Sequence, residues 1–255
     1  MVRYDLEGRT AYLTLNRPEK RNALNGEMVT ALREALTRAE ADAGARVVVV
    51  RAEGKVFCAG ADLGALRQLQ TATYDDNLAD SEHLGALFRQ IYLGPKPVVA
   101  QVHGHAIAGG CGLATVCDFT FAAEGARFGY TEVRIGFVPA LVTVFLTRKV
   151  GEGHAKSLLM TGELITAARA REVGLIQEVL PPEALADRVR TFADQLAEQT
   201  SGESLAATKA LLAEVPALPL DDALQRAAAE NARARGTDDC RRGIAAFLAK
   251  EKLTW

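Results

Sequence analysis

The sequence predicts an α/β protein in which buried parallel strands alternate with amphipathic helices and a helical region closes the chain. Three observations carry this expectation. Continuous apolar runs at Val47-Val48-Val49-Val50 and Pro97-Val98-Val99-Ala100-Gln101-Val102 have the composition of strands covered on both faces. Segments of helical period lie between and after them. From Pro139 onward the pattern is helical only, and no further strand is expected.

Taken in order, the N-terminus and Tyr12-Leu13-Thr14-Leu15 show strand-like alternation, which Asn16-Arg17-Pro18 breaks. Met28, Leu32, Ala35, Leu36 and Ala39 recur at helical spacing and predict a helix over residues 27–42. A helix over 74–92 precedes the second buried run. Gly109-Gly110 opens another, and Phe119-Thr120-Phe121-Ala122 follows as a third strand. Strand–helix–strand repetition implies parallel pairing through right-handed crossovers. The later helices are expected at 141–150, 153–161, 167–173, 182–198, 204–214, 220–235 and 238–251. An α/β core is assigned to 1–195 and a C-terminal helical region to 196–255.

Bulk properties narrow the function. In 255 residues, 49% are hydrophobic and 24% charged, with a net charge of −2. That balance offers no general attraction to nucleic acid or anionic membrane. No apolar run approaches the roughly 20 residues of a membrane span. Cys58, Cys111, Cys117 and Cys240 lack metal or CxxC spacing. Reduced thiols and a chain that begins directly in strand pattern lead us to expect a cytoplasmic protein.

The chemistry lies in two glycine-rich openings, Phe57-Cys58-Ala59-Gly60-Ala61-Asp62-Leu63 and Ile107-Ala108-Gly109-Gly110-Cys111-Gly112. A strand that passes through glycine into a helix leaves backbone N–H groups without partners. Two such openings side by side can aim two donors at one carbonyl oxygen, which is an oxyanion hole. Carbonyl chemistry is therefore expected.

These stretches, with Asn16-Arg17-Pro18, Asn22-Ala23-Leu24, Val102-His103-Gly104-His105-Ala106, Cys117-Asp118 and Phe128-Gly129-Tyr130-Thr131-Glu132-Val133-Arg134-Ile135-Gly136, resemble the crotonase superfamily, the enoyl-CoA hydratase/isomerase group. The resemblance spans nearly the whole chain in order. It implies repeated ββα turns, a C-terminal helical region that forms a homotrimer or a homohexamer of two trimers, and an acyl-CoA substrate. It places the thioester oxygen on the amides of Ala61 and Gly109, with Glu132 as acid/base. It assigns substrate contacts to Arg21, Ala23, Ala59, Asp62, Leu63 and Gly110, and to Phe247 and Lys250 from an adjacent subunit. No cofactor is implied beyond the coenzyme A of the substrate, and no metal. Where the family often carries a lysine after Ala61-Asp62-Leu63, Gly64 and then Arg67 stand.

Two-carboxylate hydratases of the family carry a second glutamate where this chain has Gly112. Three readings follow: hydration by Glu132 alone, with a bulky acyl group filling the space at Gly112; double-bond isomerisation by Glu132 as a single base; or hydration with help from Asp80, Glu82, His83 or Tyr130. Plainer roles stand beside these. Glu132 could pair with Arg134 or Arg127, Asp62 could cap a helix, and Cys58 and Cys111 could be packing residues. His103 and His105 lack a third ligand for metal. A non-catalytic acyl-CoA or RNA binder and a thioester hydrolase are the remaining alternatives.

Overall fold

A computed structural model describes all 255 residues. Two sheets form the framework. The chain runs β1 (Val2–Glu7), β2 (Thr10–Leu15), α1 (Gly26–Ala41), β3 (Val47–Ala52), β4 (Val56–Cys58), α2 (Leu63–Leu69), α3 (Tyr74–Leu93), β5 (Val98–Val102), β6 (His105–Ile107), α4 (Gly109–Val116), β7 (Phe119–Ala123) and β8 (Arg127–Gly129). It continues through α5 (Ala140–Thr161), β9 (Ile165–Thr166), α6 (Ala167–Glu172), β10 (Glu178–Leu180), α7 (Pro182–Gln199), α8 (Gly202–Glu214), α9 (Leu220–Ala234) and α10 (Asp238–Ala249). The larger sheet has the order β1-β2-β3-β5-β7-β10 and the smaller one β4-β6-β8-β9. All neighbours are parallel except β1 with β2 and β8 with β9.

The run Val47–Val50 is buried on both faces, as its composition requires. Val48 and Val50 join the main core with Leu13, Leu15, Met28, Leu32 and Phe88. Val47 and Val49 face Leu185, Val189, Ala193 and Ala197 of α7, so successive side chains serve opposite layers. In α5, Gly151 has φ 75° and ψ 163°, which breaks the helix between the two helices expected from sequence.

Two expectations need correction. Strands do continue beyond Pro139, as β9 and β10. Each is two or three residues long, too short to show an alternation, and each adds to an edge strand by pairing with β8 or β7. The boundary at 195/196 falls inside α7, whose Ala197 still packs on the sheet; the layer ends at Thr200, the C-cap of α7. Beyond it, α8 is fastened to the core by Lys209, whose Nζ donates to Ile91 O (2.8 Å), Lys96 O (3.1 Å) and Asp118 Oδ2 (2.7 Å). Asp118 also accepts from Val98 N–H at 2.7 Å, which fixes the turn from α4 into β7. No helix is long and apolar enough to cross a membrane.

Candidate active site

Three neighbouring parallel strands of the smaller sheet end side by side. β4 leads to Ala61, β6 to Gly109 and β8 to Glu132. The carboxyl ends of parallel strands are where ligands usually bind in open α/β sheets. Register explains the alignment: Cys58 lies opposite Ala106, and Ile107 opposite Gly129. Ala108 N–H donates to Gly129 O at 2.7 Å, carrying the β6–β8 ladder one step beyond the strands.

The Ala61 loop is built as a short parallel ladder with residues 21–24. Ala59 N–H donates to Arg21 O (3.1 Å), Leu24 N–H to Gly60 O (2.7 Å), and Asp62 N–H to Leu24 O (2.9 Å). This pattern turns the Ala61 N–H away from Leu24, and it has no hydrogen-bond acceptor within the chain. The Gly109 N–H, first in α4, has no acceptor within its own helix. The two loops touch. A Cβ on Gly60, whose φ is +87°, would lie 3.4 Å from Gly109 N and 2.9 Å from Ile107 O. Ala108, between β6 and α4, has φ 49°, an uncommon conformation for alanine that marks strain of the kind held at functional sites.

Helix α4 is set by close backbone approach. A Cβ at Gly110 would fall 2.3 Å from Cys58 O, so only glycine lets α4 seat on the end of β4. Its other end is held by Lys149, whose Nζ donates to Thr115 O (2.9 Å) and Cys117 O (2.8 Å), a cation where the helix dipole is negative.

Glu132 opens a 3-10 turn, Glu132–Ile135. Its Oε2 is buried without a hydrogen-bond partner, and no Lys or Arg lies within salt-bridge distance. Burial pushes its carboxyl above the ordinary glutamate range, against a lowering by its own backbone N–H. The pairing with Arg134 does not form, because Arg134 packs on Gly162 at the end of α5 instead.

Gly112 is buried, and the place of a side chain there is filled by the protein itself. A Cβ would lie 2.4 Å from Val142 Cγ1 and 3.0 Å from Phe88 Cζ. The expectation that an acyl group occupies this space is therefore wrong; hydrocarbon from α5 and α3 already does. Gly112→Glu is expected to lower stability by about 1–3 kcal/mol from overpacking, more with the buried charge, and to add no hydratase activity. Urea denaturation beside an enoyl-CoA assay checks it.

Two of the helpers, Tyr130 and His83, are engaged with other side chains. Tyr130 is fully buried with its OH 2.5 Å from Thr115 Oγ1, and burial holds its phenol well above the ordinary value. His83 lies against Thr30 Oγ1 (3.0 Å) and Arg33 (3.3 Å) on α1, while Asp80 and Glu82 are exposed on α3. Cys58 and Cys111 are buried, and burial pushes both thiols up to about 12. His103 Nε2 lies 2.9 Å from Gly54 O.

Among the expected substrate contacts, Arg21 and Leu63 are exposed beside the loop, Ala23 and Gly110 are buried, and Ala59 is half-buried. Asp62 is the N-cap of α2, its Oδ1 accepting from Gly64 N–H at 2.7 Å and its Oδ2 from Arg17 at 2.9 Å. Phe247 and Lys250 are exposed on or beside α10. Within the chain α10 is tied to the α7–α8 junction, through Ser201 to Asp239 (2.6 Å), and not to the Ala61 loop. Sequence reading missed Asn22 as a builder of the site. It is fully buried with φ 53°, accepts from Arg17 N–H (2.9 Å), and donates to Glu53 O (2.8 Å) and Val56 O (2.9 Å). Its signal was the residue type, since asparagine tolerates the left-handed region.

Residues 6–255 match the profile of the family described as Enoyl-CoA hydratase/isomerase. The chain belongs to that family. This enoyl-CoA hydratase/isomerase family member is 45% identical over 244 residues to a Thermus thermophilus protein that bears an enoyl-CoA hydratase name, covering 96% of each. It is 35% identical to the crotonyl-CoA hydratase of Syntrophomonas wolfei, over 98% of this chain and 95% of that one. Its fold superposes on the crystal structure of an enoyl-CoA hydratase from Mycobacterium smegmatis with a TM-score of 0.93, at 32% identity, covering 100% and 98% of the two chains. The repeated strand–strand–helix core of the crotonase superfamily, expected from the resemblance, is thus the fold of this family member.

Proposed function

We propose that the protein adds water across the double bond of a 2-enoyl-CoA to give a 3-hydroxyacyl-CoA. The observation that carries this reading is the buried, unpartnered Glu132 Oε2 at the same strand ends as the free amide of Ala61 and the first amide of α4, Gly109. The thioester oxygen accepts from both N–H groups, aided by the positive end of α4. Polarisation of the carbonyl makes the β carbon electrophilic and stabilises the enolate formed by addition. Glu132 takes a proton from the attacking water and then delivers one to the α carbon. The hydratase names of the relatives support this reaction.

A second reading is favoured by one observation, the hydrocarbon wall of Val142 and Phe88 at Gly112. With a single carboxylate at the site, Glu132 can shuttle a proton between carbons and convert a 3-enoyl-CoA into a 2-enoyl-CoA. Incubation with each thioester separates the two. Hydration is expected to remove the conjugated absorbance of the 2-enoyl substrate and leave the 3-enoyl one untouched. Rapid conversion of the 3-enoyl substrate to a persistent conjugated product overturns hydration in favour of isomerisation.

Coenzyme A phosphates are held in this reading by Lys20 and Arg21, both exposed on the loop before Asn22. Assembly belongs to the same proposal. Leu220, Leu224, Phe247 and Leu248 are 75%, 60%, 82% and 74% exposed in the single chain, an apolar surface suited to a trimer contact. Such a contact would bring Phe247 and Lys250 to a neighbouring subunit's substrate.

A further inference from the structure

The Ala61 amide sits in a loop of small residues, and the side chains that fasten the loop are charged. Arg17 Nη1 donates to Asp62 Oδ2 at 2.9 Å, with the two side chains only 17% and 11% exposed. Asp62 makes three connections. Its N–H reaches Leu24 O, its Oδ1 starts α2, and its Oδ2 receives the guanidinium. Burial opposes its ionisation, yet the Gly64 N–H and the Arg17 charge outweigh that and hold the carboxyl below the usual range. Arg17 is itself held through its N–H to Asn22 Oδ1 and its carbonyl, which accepts from Lys20 and Asn22 N–H.

We infer that the Arg17–Asp62 ion pair is a positioning device for the Ala61 amide, setting the direction in which its N–H meets the substrate carbonyl. The inference rests on the acyl-CoA reading above. The substrate contact expected of Asp62 gives way to this role, since its two carboxylate oxygens are taken up by Gly64 N–H and Arg17. An exposed pair would contribute little. This one is withdrawn from water, so removing Arg17 leaves the Asp62 carboxylate without its cation, while removing Asp62 leaves Arg17 only the exposed Glu19 at 4.0 Å; in either case the Asp62 backbone next to Ala61 is expected to move. Misplacement by about 1 Å at a catalytic centre can cost on the order of 100-fold in rate.

Three variants separate the ion pair from the helix cap. Asp62→Asn keeps an oxygen for the α2 N-terminus, where Asn serves about as well as Asp, but loses the charge. Arg17→Met removes the cation and Arg17→Lys retains it. The probe is a para-aminocinnamoyl-CoA thioester, whose absorption band moves to longer wavelength when its carbonyl is polarised. Wild type is expected to shift the band. Asp62→Asn and Arg17→Met should bind the probe with little change in affinity and a smaller shift, with kcat down about 10- to 100-fold and KM nearly constant. Arg17→Lys should recover part of both, and the double variant should lose no more than the worse single one. Melting curves identify a variant that fails to fold; Asp62→Asn and Arg17→Lys then decide the matter without Arg17→Met. Shifts and kcat equal to wild type, or losses that add fully in the double variant, overturn the pair's role. A wild type that leaves the band unmoved overturns the acyl-CoA reading and this inference with it, a failure distinct from the first.

Discussion

Replacing Glu132 by Gln is expected to lower turnover of the enoyl-CoA substrate by about 100- to 10,000-fold while acyl-CoA affinity stays near that of wild type. Gln keeps the shape and loses the proton-transfer group. No ion pair is broken, because the carboxylate has none, so the fold should not loosen. Steady-state kinetics and calorimetric binding of a saturated acyl-CoA measure the two effects. The pH dependence follows from the same geometry. Burial raises the Glu132 carboxyl above the ordinary glutamate value, and the base form is the one that accepts a proton from water. The acid limb of kcat/KM should therefore lie above the usual carboxylate range, and Gln should abolish it. For stability the sign is opposite to that of a salt-bridged carboxylate. A raised folded-state value favours folding at low pH, and that contribution is lost as pH rises through it. Glu132→Gln should thus be at least as stable as wild type at neutral pH. Turnover close to wild type would remove Glu132 from the mechanism.

Gly110→Ala is expected to reduce kcat about 100- to 1,000-fold and to destabilise the protein by about 1–3 kcal/mol. On helix propensity alone this change should stabilise α4 by roughly 1 kcal/mol. The clash decides the sign: the new methyl would meet Cys58 O at 2.3 Å and Cys58 C at 2.8 Å, backbone atoms that cannot rotate aside. Helix α4 must lift off β4, and the Gly109 N–H moves with it. Gly153→Ala on α5, where a Cβ meets nothing within 4 Å, is the control and should be neutral or stabilising. Urea titrations of both variants beside the enoyl-CoA assay make the comparison. Full activity of Gly110→Ala would show that the Gly109 amide need not be where α4 puts it.

Local pattern revealed much of this molecule and long-range packing little. Val47–Val50 announced a doubly covered strand because each residue is β-branched, and the break at Gly151 was visible as two helical stretches. Strands β4, β6 and β8 have three residues each and leave no period; the glycines that end the first two marked their position instead. Glu132 stood out through its resemblance, but its isolation did not. In a 3-10 turn of three residues per turn, residues two apart point in different directions, and Arg134 is claimed by Gly162. The missing side chain at Gly112 was plain in the sequence. That Val142 and Phe88 fill its place was not, since those contacts join helices distant along the chain. The Arg17–Asp62 pair and the bonds of Asn22 to Glu53 and Val56 escaped likewise, because they join loops distant along the chain; only the residue type of Asn22 hinted at its place.

The seam between β4 and α4 carries its own gauge. Cys58 and Cys111 lie there without solvent access, their thiols pushed up to about 12, so alkylating reagents reach neither while the seam is shut. Their rate of modification reports how often the helix parts from the strand, residue by residue and without substrate.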